Sequence, residues 1–148
     1  MRQDVCPGCG QVNRLPAGRD ARGAKCGRCG EKLFTGHPVE VTADQLAAHR
    51  RSDKGAPVVL DVWAPWCGPC RAMAPQFEAA ARDLAAEGVR FLKLNSDAEP
   101  GAASELGVSG IPALFLFQDG NIVARKAGLM RADEIKAWVQ SSAPKAAA

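Results

Sequence analysis

One stretch decides the fold and the chemistry of this chain: Val58-Val59-Leu60-Asp61-Val62-Trp63-Ala64-Pro65-Trp66-Cys67-Gly68-Pro69-Cys70. Its first six residues form an apolar run with the length and composition of a strand buried on both faces. An alanine-rich segment follows, which favours a helix that begins near Cys67. Cys67 is therefore expected at the N-terminal end of a helix, where unpaired backbone N–H groups favour a thiolate over a thiol. Because the thiolate is the reactive form, the sequence predicts a cysteine pair that exchanges between dithiol and disulfide.

Asp61 lies in the middle of the apolar run. One interpretation is an aspartate on an edge strand that faces water. The alternative is that Leu60, Val62 and Trp63 bury it, in which case desolvation raises the pKa of its carboxyl group. A carboxyl group of that kind beside two thiols can accept and donate protons during exchange.

Length and composition limit the classes of protein to consider. The 148 residues allow one domain of ordinary size and a small additional module. A hydrophobic content of 47% with 24% charged residues is typical of a globular chain and excludes the disordered class. No apolar run approaches the roughly 18 residues that span a membrane, and no apolar signal segment precedes the first cysteines, so we expect a cytoplasmic protein. In a reducing compartment, three Cys-x-x-Cys pairs indicate metal or redox chemistry rather than structural disulfides.

Two of these pairs lie in residues 1–36: Cys6 with Cys9, and Cys26 with Cys29. The sixteen residues between the pairs match the spacing of a four-cysteine zinc site. Two residues between thiolates let one tight turn direct both sulfurs at the same tetrahedral ion, and four thiolates complete its coordination. The segment has few large apolar side chains, so we expect one structural zinc ion to supply its stability. The alternatives are four surface thiols, two redox pairs, or a site that senses oxidation by releasing its metal.

Charge is distributed unevenly along the chain. Residues 1–36 have seven Lys/Arg and three Asp/Glu, a balance of +4, while residues 37–148 have twelve and thirteen, a balance of −1. A basic module can contact nucleic acid or acidic partners, but Phe34 is its only aromatic residue, which disfavours nucleic-acid binding. Arg50 and Arg51 are predicted to be solvated residues at a helix end.

Strand and helix patterns alternate along the rest of the chain. Thr42 and Gln45 have the spacing of a capping box at the start of a helix that ends near Ser52. The other predicted elements are an edge strand over 39–41, a helix over 67–86, a strand over 89–95, a helix over 99–106, strands over 114–118 and 121–126 joined by Asp119-Gly120, and a helix over 131–142. This order predicts an α/β fold with helices on both faces of a sheet. We divide the chain into a module over 1–36, a domain over 37–142 and a flexible tail over 143–148.

The quoted stretch and three later segments resemble the thioredoxin family. Residues 61–71 resemble its active-site segment, and Gly110-Ile111-Pro112, Phe117-Gln118-Asp119-Gly120 and Lys126-Ala127-Gly128 follow in the order and spacing of that family. The resemblance covers residues 38–142, and the four-cysteine module makes the chain similar to the family's zinc-binding bacterial members. It implies a thioredoxin fold, a central mixed sheet flanked by helices, with a small zinc-ribbon-like module at the N-terminus.

The resemblance also implies a role for each matching residue. Cys67 is the attacking thiolate of the redox-active pair, and Cys70 is the buried resolving thiol. Asp61 is the carboxyl group that manages the Cys70 proton, with Lys93 as its charged neighbour, and Pro112 is a cis-proline that positions the substrate backbone. The implied docking surface consists of Trp66, Gly68, Pro69, Gly110, Ile111 and Gly128.

The activity implied is that of a protein-disulfide reductase, a monomer that receives electrons from an NADPH-dependent thioredoxin reductase and holds no organic cofactor. An alternative makes residues 1–36 the functional part and the domain a scaffold or chaperone. The presence of Cys67, Cys70, Asp61 and Pro112 argues against it, because a scaffold needs none of them.

Four residues depart from those usual in the family: Val62, Pro65, Arg71 and Ala113. These changes can shift the reduction potential or the choice of substrate, but none of them removes a catalytic group.

Overall fold

The computed structural model describes residues 2–16, 21–53 and 55–142, which form two sheets. The predicted tail lies outside the described residues. In the smaller sheet, β1 (Arg2–Val5) pairs antiparallel with β2 (Val12–Leu15). The larger sheet consists of β3 (Val39–Glu40), β4 (Val58–Trp63), β5 (Arg90–Asn95), β6 (Ala113–Gln118) and β7 (Asn121–Ala127). The helices are α1 (Ala43–Ser52), α2 (Gly68–Leu84), α3 (Pro100–Glu105) and α4 (Ala132–Ser142), with 3₁₀ turns at Ala21–Gly23 and Ala85–Glu87.

The larger sheet is mixed, as the resemblance implies. Its strand order is β3-β5-β4-β6-β7, and β4 lies parallel to β5 and antiparallel to β6. The apolar run over 58–63 therefore occupies the centre of the sheet, which confirms the prediction of a strand buried on both faces. Every predicted element beyond residue 38 is present, with its bounds within two residues of the prediction.

Helices cover both faces of this sheet, and alternation along β4 decides which residue faces which layer. Val59 packs in a core with residues of α2 and α4, including Phe77 and Ile135. Leu60 packs on the opposite face, in a core that contains Leu46 of α1. Because side chains alternate along a strand, Asp61 shares its face with Val59 and lies under α2.

Predictions from two local sequence patterns, one at a helix start and one at a turn, are confirmed. Thr42 and Gln45 form the predicted capping box. Asp119 and Gly120 have φ values of 51° and 84°, as the tight turn between β6 and β7 requires. The prediction for Arg50 is wrong: its Nε and Nη2 each donate to the Gly120 carbonyl at 3.1 Å, because the turn lies against the end of α1.

The N-terminal hairpin was not predicted, because its strands are only four residues long and are joined by the turn that begins at Cys6. Leu33 is fully buried and Phe34 nearly so. Both lie beside Ala81 of α2 and Phe91 of β5. The N-terminal segment thus packs directly on the rest of the chain. None of the described helices is both long and apolar enough to cross a membrane.

Candidate active site and metal site

The cysteine pair lies where β4 gives way to α2. Cys67 is the N-cap of α2, and its sulfur accepts a hydrogen bond from the backbone N–H of Cys70 at 3.2 Å. The two sulfur atoms lie at disulfide distance, and both residues are buried. The predicted position at a helix N-terminus is confirmed. Unpaired N–H groups there stabilise a Cys67 thiolate when the pair is reduced.

Asp61 is buried in the central strand, with 1% of its surface exposed. The interpretation of an edge-strand aspartate that faces water is therefore wrong. Neither carboxylate oxygen has a hydrogen-bond partner among the described residues. Desolvation raises the pKa of Asp61 to about 7, although the positive charge of Lys93 lowers it in part. A carboxyl group with this pKa can take and return a proton near neutral pH.

Lys93 lies beside Asp61 on the neighbouring strand β5, where the two residues are paired in register. Its Nζ also lies 4.4 Å from the centroid of the Trp63 ring, at a distance suited to a cation–π contact. Lys93 is thus the charged neighbour of Asp61 that the resemblance implies.

Pro112 lies close to the cysteine pair. The Ile111–Pro112 peptide bond is cis, as implied by the resemblance. The carbonyl oxygen of Ile111 lies 3.9 Å from the sulfur of Cys67, and the Ile111 side chain packs against the cluster of Ala64, Cys67 and Cys70. The backbone of this loop therefore lies next to the sulfur expected to react.

A groove of about 700 Å³ opens beside Cys67. Trp66 on its rim is 68% exposed, a large fraction for an indole ring. Five of the six residues of the predicted docking surface line the groove: Trp66, Gly68, Pro69, Gly110 and Ile111. Gly128 is outside that lining, and its N–H donates to the Pro112 carbonyl at 2.9 Å. Gly128 therefore supports the loop that carries Pro112.

The other four cysteines form a cluster in which all sulfur atoms lie within 4.8 Å of one another. The sulfurs of Cys6 and Cys29 are 3.5 Å apart, and those of Cys9 and Cys26 are 3.7 Å apart. Four sulfurs placed about 2.3 Å from a tetrahedral zinc ion lie about 3.8 Å from each other. The cluster therefore has the dimensions of a metal site with four thiolate ligands.

Two similar turns build this cluster. Gly8 donates its N–H to the Cys6 sulfur at 3.3 Å, and Arg28 donates to the Cys26 sulfur at 3.4 Å. Each turn closes with a glycine in the left-handed region, Gly10 at φ 80° and Gly30 at φ 81°. These N–H groups stabilise negative charge on the sulfurs, as metal-binding thiolates require.

The electrostatics of the cluster also favour a cation. An N–H of Cys29 and the side chain of Asn13 lower the pKa of Cys26 to about 6. An N–H of Glu31 lowers the pKa of Cys29, but partial desolvation and the other three cysteine sulfurs outweigh it and raise that pKa to about 12. Four adjacent thiols cannot all ionise without a positive charge among them, and a bound metal ion would supply that charge.

Two sets of residues near these sites were not found by sequence analysis. Glu40 on β3 accepts a hydrogen bond from the Trp63 indole at 3.1 Å, and it pairs in register with Lys93, the neighbour of Asp61. Arg90, Asp4 and Asp53 form a buried ion-pair network between the two sheets. The one available signal was the position of Arg90 within an otherwise apolar strand pattern.

Comparison with known proteins agrees with both sites. A family model described as Thioredoxin matches residues 39–141, and one described as Thioredoxin 2, N-terminal, matches residues 5–31. Thioredoxin C-3 of Corynebacterium nephridii is 36% identical over 135 residues, which cover 91% of this chain and 91% of that protein. Thioredoxin of Pseudomonas aeruginosa is 40% identical over 86 residues, or 58% of this chain and 79% of that protein.

Solved structures are similar as well. Spinach chloroplast thioredoxin F, in its long form, has a TM-score of 0.67 at 31% identity and is matched over 74% of this chain and 88% of its own. Thioredoxin of Fasciola hepatica has a TM-score of 0.63 at 31% identity, with coverage of 69% of this chain and 95% of its own.

Proposed function

The chain belongs to the thioredoxin family, and on that premise we propose that this thiol–disulfide oxidoreductase reduces disulfide bonds of cytoplasmic proteins. The observation that carries the proposal is the position of Cys67 at the N-cap of α2, at disulfide distance from the buried Cys70. Electrons for the next cycle come from an NADPH-dependent thioredoxin reductase, which restores the dithiol.

The first step is attack by the Cys67 thiolate on a substrate disulfide. A bond forms between the Cys67 sulfur and one substrate sulfur, and the other substrate sulfur leaves as a thiolate. The N–H groups at the start of α2 stabilise the negative charge of the attacking Cys67 thiolate. The exposed ring of Trp66 and the loop at Pro112 are the surfaces against which the substrate chain lies.

The second step resolves this mixed disulfide. Asp61 accepts the proton of the Cys70 thiol, and the resulting thiolate attacks the Cys67 sulfur. The Cys67–Cys70 disulfide forms, the second substrate sulfur leaves as a thiolate, and Asp61 later returns its proton to solvent. The substrate gains two electrons and the cysteine pair loses two. The position of Asp61 on the sheet face under α2, and its raised pKa, support this role.

We also propose that the four-cysteine cluster holds one zinc ion with a structural role. Cys6, Cys9, Cys26 and Cys29 are the ligands, and they leave no position for a substrate or water. The ion supplies cross-linking and charge neutralisation to residues 1–36, which have a small apolar core of their own. Residues 37–142 then form the domain that carries the redox pair.

Insulin reduction driven by NADPH and thioredoxin reductase tests the activity. The native protein should sustain turnover, and Cys67→Ser should reduce it to the uncatalysed background. Cys70→Ser retains the attacking thiolate, so it should accumulate a mixed disulfide that mass spectrometry detects. Turnover by Cys67→Ser equal to that of the native protein would exclude the mechanism, and metal analysis of the purified protein tests the identity of the ion.

A further inference from the structure

Three charged residues form a row across the sheet next to the redox site. Glu40 on β3 pairs with Lys93 on β5, and Lys93 pairs with Asp61 on β4. The residues two positions before Lys93 and Asp61 show which face they share. These residues, Phe91 and Val59, pack in the core under α2 and α4. Because side chains alternate along strands, all three charged groups lie on the α2 face.

Trp63 connects two neighbouring members of this row, Glu40 and Lys93. Its Nε1 donates to both oxygens of the Glu40 carboxylate, at 3.1 and 3.2 Å. The face of its ring receives the ammonium group of Lys93 at 4.4 Å. Glu40 therefore fixes the indole against which Lys93 rests, and Lys93 lies in register between two carboxyl groups.

We propose that Glu40 is a positioning residue for the redox reaction: it holds Trp63 and shares the charge of Lys93, so that Asp61 keeps its proton to a higher pH. The inference rests on the proposed function, since it concerns the carboxyl group that exchanges a proton with Cys70. Glu40 acts through Lys93 and Trp63 and itself touches no reacting atom.

The charge balance around Asp61 supports this role. The charged groups in the same row of the sheet are Lys93 from β5, Glu40 from β3 and, beyond Leu114, Lys126 from β7. The Cys67 and Cys70 thiols lie at the start of α2 in the reduced protein, and of the two lysines only Lys93 lies next to both carboxyl groups. A single ammonium group cannot neutralise two carboxylates. The better solvated Glu40 at the sheet edge takes the negative charge, and the buried Asp61 retains the proton. In agreement, the pKa of Asp61 is raised first by desolvation and further by Glu40, against the effect of Lys93.

Titration of the Asp61 side-chain carboxyl group by carbon-13 NMR tests the proposal directly. Glu40→Gln retains an oxygen that accepts the Trp63 N–H but removes the charge, so the Asp61 pKa should fall by about half a unit to one unit. Glu40→Asp retains the charge and should keep the Asp61 pKa closer to that of the native protein. The matched control is Glu105→Gln, which removes an exposed carboxylate on α3 and should leave the titration unchanged.

A second readout is the pH profile of the rate at which the mixed disulfide is resolved. Its acidic limb, where Asp61 ionises and becomes able to accept the Cys70 proton, should move to lower pH in Glu40→Gln. An Asp61 titration in folded Glu40→Gln identical to that of the native protein would overturn the inference. If Glu40→Gln fails to fold, a native-like Asp61 pKa in Glu40→Ala or a lowered one in Glu40→Asp would overturn it instead. The titration uses neither substrate nor reductase, so failure of the insulin assay and failure of this inference are distinguishable.

Discussion

The guanidinium group of Arg90 forms a buried ion pair with the carboxylate of Asp4, which joins β5 of the larger sheet to β1 of the N-terminal hairpin. The same group donates to the Leu33 carbonyl at 2.9 Å and lies 3.2 Å from the carboxylate of Asp53. Asp53 in turn accepts the backbone N–H of Val5 at 3.3 Å. One arginine thus satisfies acceptors from both parts of the chain.

This contact fixes where the four-cysteine cluster lies relative to the redox pair. Arg90 is the first residue of β5 and pairs with Val58, the first residue of β4. Cys67 lies beyond the other end of β4, which is Trp63. The two strands are parallel and about 16 Å long, at about 3.3 Å per residue. The N-terminal segment therefore docks at the end of the sheet opposite to the cysteine pair.

Arg90→Met should lower the free energy of unfolding by about 3 kcal/mol or more, because it removes the buried guanidinium group that pairs with the carboxylates of Asp4 and Asp53. Urea denaturation measures the change. The matched control is Arg82→Met, which removes an arginine that is 71% exposed and should change the free energy by less than about 1 kcal/mol. Equal losses in the two variants would show that the buried pair does not stabilise the docking.

Removal of the metal should separate stability from activity. A chelator that extracts the proposed zinc ion should lower the melting temperature, since residues 1–36 lose their cross-link. Insulin reduction at a temperature where the domain remains folded should stay within about twofold of that of the untreated protein, because the two sites are far apart. A metallochromic indicator, the melting curve and the insulin assay should be followed on one sample. Loss of activity in parallel with metal release, with the domain still folded, would contradict a purely structural role.

Features encoded over a few residues were predictable from the sequence. Thr42 with Gln45, and Asp119 with Gly120, each combine a side-chain type with a fixed spacing, and each produced the structure expected of it. The alternation of apolar runs with helical segments gave the sheet and its helices for the same reason. The two Cys-x-x-Cys pairs of the four-cysteine cluster are local turns of this kind.

Contacts between distant segments were not predictable in this way. Arg90 lies 86 residues from Asp4, and neither residue belongs to a sequence motif that indicates which residue it pairs with. Glu40 reads as an ordinary residue on the outward face of an edge strand. Its relation to Lys93 and Trp63 exists only because β3 and β4 flank β5. Strand order decides these pairings, and one sequence does not contain it in any local pattern.

Gly120 should tolerate alanine less well than Gly88 does, although both have positive φ values, 84° and 76°. At Gly88 no atom lies within 4 Å of an added Cβ, so alanine should cost about 1 kcal/mol of backbone strain. At Gly120 the Cβ collides with the backbone carbonyl of Arg50, which should add about 2 kcal/mol. Chemical denaturation of the two variants checks the difference. Equal costs would show that the turn moves away from α1 without penalty.

Asp61→Asn should stabilise the oxidised protein, and more strongly as the pH rises. The pKa of Asp61 is raised from 3.8 to about 7 in the folded state, so between these values the folded protein holds a proton that the unfolded chain releases. The free energy of unfolding therefore falls as the pH increases through this range. The side chain of asparagine does not ionise in this pH range, so Asp61→Asn lacks this pH dependence. The advantage of Asp61→Asn over the native protein should grow by about 3 kcal/mol from pH 5 to pH 8.

Urea denaturation of the disulfide form at several pH values measures this difference without interference from the thiols. Asp44→Asn, at an exposed position on α1, is the matched control, and its difference from the native protein should not follow the same curve. A pH-independent gain in Asp61→Asn would mean that the carboxyl group is ionised in the folded protein at pH 5. Lys93 would then compensate fully for the desolvation of Asp61, and this carboxylate would enter the redox cycle already able to accept the Cys70 proton.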